Sequence, residues 1–329
     1  MRSYEAGDEA GVRDLFHRVF GKEKRKEIWE WEFFSAENGP SLLTVAADDD
    51  GHIVGFCGGV SLRFQYQERV LKVYQIVDLM VHPDCRCRGL LRDLMQYHFK
   101  SAPGADYGFM YGFPSPEAAR LLKFHQLSEA ASEITEWKMK LGWRKGLKLL
   151  WKQNASKGNT FVFTPLKKFD SEIDRFWESV KGDYPCGIIR DSQYLNWRYA
   201  DAPGHPYDLF VARDSQTRSI QGLAVTEAVA NSGRWEIILW ELFVRPNDDA
   251  CLRFMLDRLA LRCWLRGKKA LRFFQAPQKK PPIFMSLGFK KKAFEACRFL
   301  PLFYGPSVDR SFIKDRHYYS PGDMDLFFF

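Results

Sequence analysis

Three segments of the chain recur in the same order at a nearly constant offset, and this constrains the fold more than any other feature. Trp29-Glu30-Trp31-Glu32-Phe33 aligns with Leu195-Asn196-Trp197-Arg198-Tyr199, 166 positions later. Leu43-Thr44-Val45-Ala46 followed by Val54-Gly55 aligns with Leu209-Phe210-Val211-Ala212 followed by Gln221-Gly222, at offsets of 166 and 167. Asp78-Leu79-Met80-Val81-His82-Pro83 aligns with Glu241-Leu242-Phe243-Val244-Arg245-Pro246, at 163. Kept order and spacing imply one structural plan used twice. At 329 residues the chain is long enough for two such domains.

Hydrophobic periodicity fills in the plan. The first copy predicts a strand near 1–4, helices over 9–20 and 26–34, and strands over 41–47, 52–64 and 69–82. A helix over 88–100, a strand over 107–112, a helix over 116–124 and a closing strand to about 141 follow. Asp48-Asp49-Asp50-Gly51 reads as a hairpin turn, its acidity being turn chemistry rather than a metal signal. The second copy predicts a strand over 160–164, helices over 171–180 and 191–199, strands over 207–213, 219–229 and 234–244, a helix over 248–267, a strand over 270–276 and a helix over 281–287. The expected fold class is α/β (α+β), with a mixed, mostly antiparallel sheet flanked by helices in each domain. The expected boundaries are 1–141 for the first domain, 142–159 for a basic linker, 160–300 for the second domain and 301–329 for a tail. Phe327, Phe328 and Phe329 should dock that tail onto the domains.

Composition narrows the function classes. No apolar run approaches the roughly 18–20 residues that span a bilayer, and residues 1–8 lack an apolar signal core, so a cytoplasmic location is expected. Seven cysteines without a C-x-x-C pair argue against a disulfide framework or a structural zinc site. Histidines at zincin spacing, a G-x-S-x-G elbow and a phosphate-binding P-loop are all missing. A net charge of +8 suits a polyanionic ligand. No zinc-finger, RNP or basic-zipper signature accompanies it, so no specific nucleic acid is expected as partner. Residues 137–159 are basic and aromatic, and 143–152 fit either of two roles. One is a short amphipathic helix making weak contact with an anionic membrane. The other is an interdomain connector that packs its Trp and Leu side chains.

The chemistry concentrates in 76–95. Ile76-Val77-Asp78-Leu79-Met80-Val81 reads as a buried strand, which Pro83 stops. Leu90, Leu91, Leu94 and Met95 then recur at helical spacing. Between them lie Arg86, Cys87, Arg88 and Gly89. Such a turn gathers backbone N–H groups at the positive end of a helix dipole. Arg86 and Arg88 add full charges, and Gly89 lets the backbone approach a ligand. A pyrophosphate is what such a nest holds. Cys85 and Cys87 flank Arg86; they read as small loop residues rather than redox groups.

Arg86-Cys87-Arg88-Gly89-Leu90-Leu91 resembles the acyl-CoA-binding motif of the GCN5-related N-acetyltransferases (GNAT), Arg/Gln-x-x-Gly-x-Gly/Ala, with Leu91 where a small residue is usual. Extended to Arg92, the run Arg-x-Arg-Gly-Leu-Leu-Arg resembles a variant of the tandem-domain branch typified by the enhanced-intracellular-survival acetyltransferases. The resemblance implies two tandem GNAT-like domains and acetyl transfer from acetyl-CoA to an amine such as an amino sugar, aminoglycoside or peptide amine. It implies that Leu79, Met80 and Val81 hold the pantetheine arm, beside a strand bulge that frees an oxyanion-binding N–H. The turn Arg86, Cys87, Arg88, Gly89, Leu90 and Leu91 would hold the diphosphate. After Pro246 the second copy has Asn247-Asp248-Asp249-Ala250-Cys251, whose carboxylates repel a diphosphate; that copy should not bind CoA.

Asp78 is the only carboxylate on the motif strand and hence the candidate base, unless it is a structural anchor. Leu122 replaces the tyrosine that serves as acid in many relatives, which leaves Tyr111 as a candidate acid or a packing residue. In the tandem branch the C-terminal carboxylate has been given the base role, which here would fall to Phe329. His82 reads as a solvent-side residue. The aromatic residues of Trp29–Phe34 are too many to share one helix face. Some are expected to line a pocket where Glu30 and Glu32 favour a cationic amine. Two rival functions stay open: an aminoacyl-tRNA-dependent tandem transferase, and a non-catalytic CoA sensor or scaffold.

Overall fold

A computed structural model of the chain describes residues 1–34, 39–86, 89–102, 107–125, 132–155, 160–231, 233–245, 247–275, 281–304 and 308–324. In chain order the elements are β1 (Arg2–Ser3), α1 (Glu9–Phe20), α2 (Lys26–Phe34), β2 (Leu42–Ala47), β3 (Ile53–Tyr66), β4 (Arg69–Val81), α3 (Leu90–Lys100), β5 (Tyr107–Gly112), α4 (Pro116–Phe124) and β6 (Ser132–Lys140). There follow α5 (Trp143–Ala155), β7 (Phe161–Leu166), α6 (Ser171–Val180), β8 (Cys186–Ile188), α7 (Ser192–Leu195), β9 (Asp208–Asp214), β10 (Ile220–Asn231) and β11 (Arg234–Val244). The chain ends with α8 (Asp249–Leu265), β12 (Ala270–Gln275), α9 (Pro281–Ser286), β13 (Lys290–Tyr304) and α10 (Arg310–Arg316).

The chain divides into two compact units: Met1–Ser132 with Ala296–Asp315, and Glu133–Glu295 with Arg316–Phe329. In the first unit the strand order is β1-β2-β3-β4-β5-β13. The β4–β5 pair is parallel; the others are antiparallel, with Leu300↔Gly112 in register where β13 meets β5. In the second the order is β7-β9-β10-β11-β12-β6, again with one parallel pair, β11–β12. The two sheets thus share one plan, as the repeat requires.

The sixth strand of each plan departs from the expected boundaries. The strand expected to close the first copy, β6, pairs with β12 from Ala270↔Lys140 to Gln275↔Thr135. Its alternate residues Trp137 and Met139, followed by Leu141, lie in the apolar core of the second unit, with Trp137 stacked on Phe284 at 5.3 Å. That apolar face decides which sheet takes the strand. Residues 301–315 of the expected tail belong to the first unit, where the Tyr66 hydroxyl accepts from the Asp309 amide at 2.9 Å. Residues 316–324 belong to the second. Asp325, Leu326, Phe327, Phe328 and Phe329 lie outside the described residues.

Local sequence explains the elements around the first sheet. In α1, Val12, Leu15 and Phe16 recur at helical spacing and are buried, and Gly21 ends the helix in the left-handed conformation. On one face of the sheet, Trp29 and Phe33 of α2 lie 5.6 and 5.8 Å from the Phe56 ring. Gly58 has to be glycine there, since a Cβ would come within 2.6 Å of the Phe33 ring. On the other face, Leu94 and Met95 of α3 and Leu122 of α4 bury against Cys57, Tyr74, Ile76 and Met110. Leu122 therefore packs in the core. Asp48 accepts hydrogen bonds from the Asp50 and His52 amides at 3.1 and 2.8 Å, as the turn reading requires.

His98 of α3 is fully buried and hydrogen-bonds Thr44 Oγ1 through Nδ1 at 2.8 Å. Burial pushes its imidazole down to about 3. In the unfolded chain a histidine titrates near 6.5, so the unfolded state takes up the proton first as pH falls. Neutral His98 thus contributes stability that is present above about pH 6.5 and is lost between about 6.5 and 3. Urea unfolding of wild type should lose up to about 1.4 kcal/mol per pH unit more across that window than the His98→Gln variant. Equal slopes would contradict this assignment.

Candidate active site

The site grows from the end of β4. Phe56 of β3 faces Met80 and Gly58 faces Val77, so Cys57 lies opposite two residues, Asp78 and Leu79. This is a β-bulge, and Asp78 takes φ +50°, a left-handed conformation rare for a side-chain-bearing residue. The bulge starts one residue before the segment where the family resemblance placed it. On the other edge of β4, the pairing with β5 runs from Lys72↔Tyr107 to Ile76↔Gly112 and stops. Among the described residues, main chain from Val77 to Val81 has no strand neighbour on that side. Met80 and Val81 are buried and Leu79 packs toward Leu94 and Met95, so this stretch presents main chain rather than side chains.

Past Val81 the chain turns. His82 caps a short 3₁₀ turn, Pro83–Cys85, its Nδ1 accepting from the Asp84 amide at 3.3 Å. Arg86 follows, exposed. Cys87 and Arg88 lie outside the described residues. Gly89 takes φ +77° at the start of α3, a conformation that glycine alone adopts without strain. It offers no side chain to cap the first-turn amides. Leu90 packs against the core and Leu91 is half-buried, so both hold the helix start in place.

The corresponding turn of the second unit is closed from within. Asp248, at the start of α8, accepts a hydrogen bond from the Cys251 amide at 2.8 Å. A carboxylate of the chain itself occupies the place an external anion would take.

Behind the bulge lies a buried charge cluster. Lys24, just before α2, hydrogen-bonds both Asp78 and Glu32 through Nζ, and all three are buried. Asp78 is thus turned inward onto an ammonium at the bulge. The second unit repeats the arrangement: Arg190 pairs with Glu241 at 3.4 Å and with Asp323 at 2.6 Å. Ser320 and Tyr318 also donate to Glu241, at 2.7 and 2.9 Å. The β10–β11 pairing is bulged here too, with Trp240 the extra residue between Leu239 and Glu241. Sequence reasoning singled out Asp78 and missed Lys24 and Arg190. The signal was present, because Arg190 follows Lys24 at the same 166-residue offset that relates Trp29 to Leu195.

The other expected site residues fall elsewhere. Tyr111 of β5 is buried, in register with Gln75, and its ring lies 5.9 Å from those of Phe109 and Phe113. It sits among packed rings. Of the residues of α2 from which an amine pocket was expected, the structure buries some and leaves Trp31 half-buried and Phe34 exposed. Trp29 and Phe33 are core residues, Glu32 is paired with Lys24, and Glu30 lies exposed, 3.6 Å from Lys26. The helix meets the sheet through its aromatic face because Phe56 and the Gly58 gap receive it.

Residues 1–122 match the family model of an acetyltransferase (GNAT) domain. No curated protein sequence matches the chain. Among solved structures, one similar fold is a conserved protein of unknown function and probable N-acyltransferase from Enterococcus faecalis (TM-score 0.67, 11% identity, 92% of this chain and 72% of that one). A GCN5-related N-acetyltransferase from Kribbella flavida is similar at a TM-score of 0.63 and 14% identity over 91% of this chain and 70% of that one. Saccharomyces cerevisiae N-myristoyltransferase with bound myristoyl-CoA and inhibitors is similar at 0.59 and 12% over 98% and 84%. At these identities the likeness is one of fold.

Proposed function

We propose that the first unit transfers an acetyl group from acetyl-CoA to an amine. The observation that carries this reading is one juxtaposition: a bulged β4, whose edge past Ile76 has no strand neighbour among the described residues, is followed after a short turn by a helix that starts at left-handed Gly89. Main chain over 77–81 receives the pantetheine arm, while the α3 amides, Arg86 and Arg88 receive the diphosphate. The amine attacks the thioester carbonyl; a C–N bond forms, the C–S bond breaks, the amine loses a proton and the thiolate gains one. An amide N–H freed by the bulge stabilises the oxyanion between these steps. Lys24 holds Asp78 and thereby the bulge, so Asp78 positions that amide. Among the described residues the turn of the first unit has no side-chain cap while Asp248 caps that of the second, and with the repeat this favours the tandem branch of the GNAT family.

A second reading is that the first unit holds the donor for sensing. What favours that second reading is that Asp78 is engaged by Lys24 and Tyr111 lies in packed surroundings. Thiol release from acetyl-CoA, followed across amino sugars, aminoglycosides and peptide amines, separates the two. Turnover with any one class supports transfer. CoA binding without thiol release from any of them supports sensing.

A further inference from the structure

The helix α5 carries two apolar faces where a connector needs one. Toward its own unit it is packed: Leu149 is buried in the core, and at Gly146 a Cβ would come within 2.0 Å of the Trp264 ring, so α8 lies directly against it. On the other side Trp143, Leu147 and Trp151 recur every four residues and are 66%, 50% and 73% exposed. At about 100° per residue these three fall within roughly an 80° arc. The next sector of the same helix holds Arg144, Lys148 and Lys152, all exposed. The Arg144 guanidinium lies 5.2 Å from the Trp143 ring, and Lys152 pairs with Asp257.

Soluble surfaces seldom leave two indoles open on one stripe. Water is a poor neighbour for an indole ring, and so is a hydrocarbon interior for its N–H. The headgroup layer of a bilayer suits both ends. Cations along the edge of such a stripe meet anionic headgroups, and their stems reach across the apolar margin. A net charge of +8 adds to the same attraction. Among the described residues no helix is long and apolar enough to cross a membrane, so contact through this stripe would be peripheral.

We propose that the exposed face of α5, Trp143-Leu147-Trp151 with Arg144 and Lys148, docks the protein onto an anionic lipid surface. The test is co-sedimentation of the full chain with vesicles of phosphatidylcholine, with and without about one-third phosphatidylglycerol. Wild type should bind the anionic vesicles, release at high salt, and leave neutral vesicles largely unbound. Trp143→Gln/Trp151→Gln should weaken binding about tenfold or more, and Arg144→Gln/Lys148→Gln about fivefold for each charge removed. All four side chains are exposed, so the melting temperatures should match wild type. Failure to bind anionic vesicles, or equal binding by wild type and the tryptophan variant, would overturn the proposal. Self-association that is lost in the tryptophan variant, without vesicle binding, would assign the stripe to a protein contact and overturn it as well.

Discussion

Replacing Lys24 by alanine should destabilise the first unit by about 3–5 kcal/mol, the range for breaking a buried ion pair by removing one partner. The mechanism is desolvation. Asp78 and Glu32 would be left side by side in the interior without the ammonium that both now contact. For a unit of this size the loss corresponds to a fall of about 6–20 °C in melting temperature, read by calorimetry. Glu32→Gln, which keeps the Lys24–Asp78 pair, should cost clearly less. Lys24 variants that melt within a degree of wild type would show that the cluster does not support the bulge.

Removing the diphosphate nest should have the other large effect. A ligand that binds only the native state stabilises by about 2.7 kcal/mol at 100-fold excess over Kd. Arg86→Ala/Arg88→Ala should abolish that shift with CoA, because the proposed site would lose both of its guanidinium partners for the diphosphate. Gly89→Val should do the same by a different route: a β-branched residue is strained at φ +77° and would narrow the approach to the α3 amides. Asp248→Ala and Asp249→Ala should leave the shift in place, since on the proposed reading the coenzyme is held at the first turn and these residues lie in the second.

What could be read from the sequence was local. Pro83 stops β4, Gly89 starts α3, and Leu94 and Met95 mark its buried face; each signal acts within a few residues, and each element stands where its pattern puts it. The repeat could be read too, because matching segments kept their spacing, and the two sheets follow the same strand plan. Strand partnership was beyond reach. Trp137, Met139 and Leu141 say that one face of β6 is buried, but alternation is silent on which sheet buries it. Lys24 was hidden for another reason. It lies in Lys22-Glu23-Lys24-Arg25-Lys26, a run that reads as solvated, and only tertiary contact with Asp78 and Glu32 draws one of its charges inside. For α2 the sequence showed that its aromatics cannot share one face, but not which of them the sheet buries, because the gap at Gly58 that accepts Phe33 comes from a distant strand.

Titration calorimetry of CoA into the intact chain, wild type beside Gly89→Val, bears most directly on the claim that the first turn alone holds the coenzyme. One mole of CoA bound per mole of chain, and none in the variant, is the expected result. Two moles bound, or one mole that persists in Gly89→Val and disappears in a variant of the Asp248 turn, would contradict it.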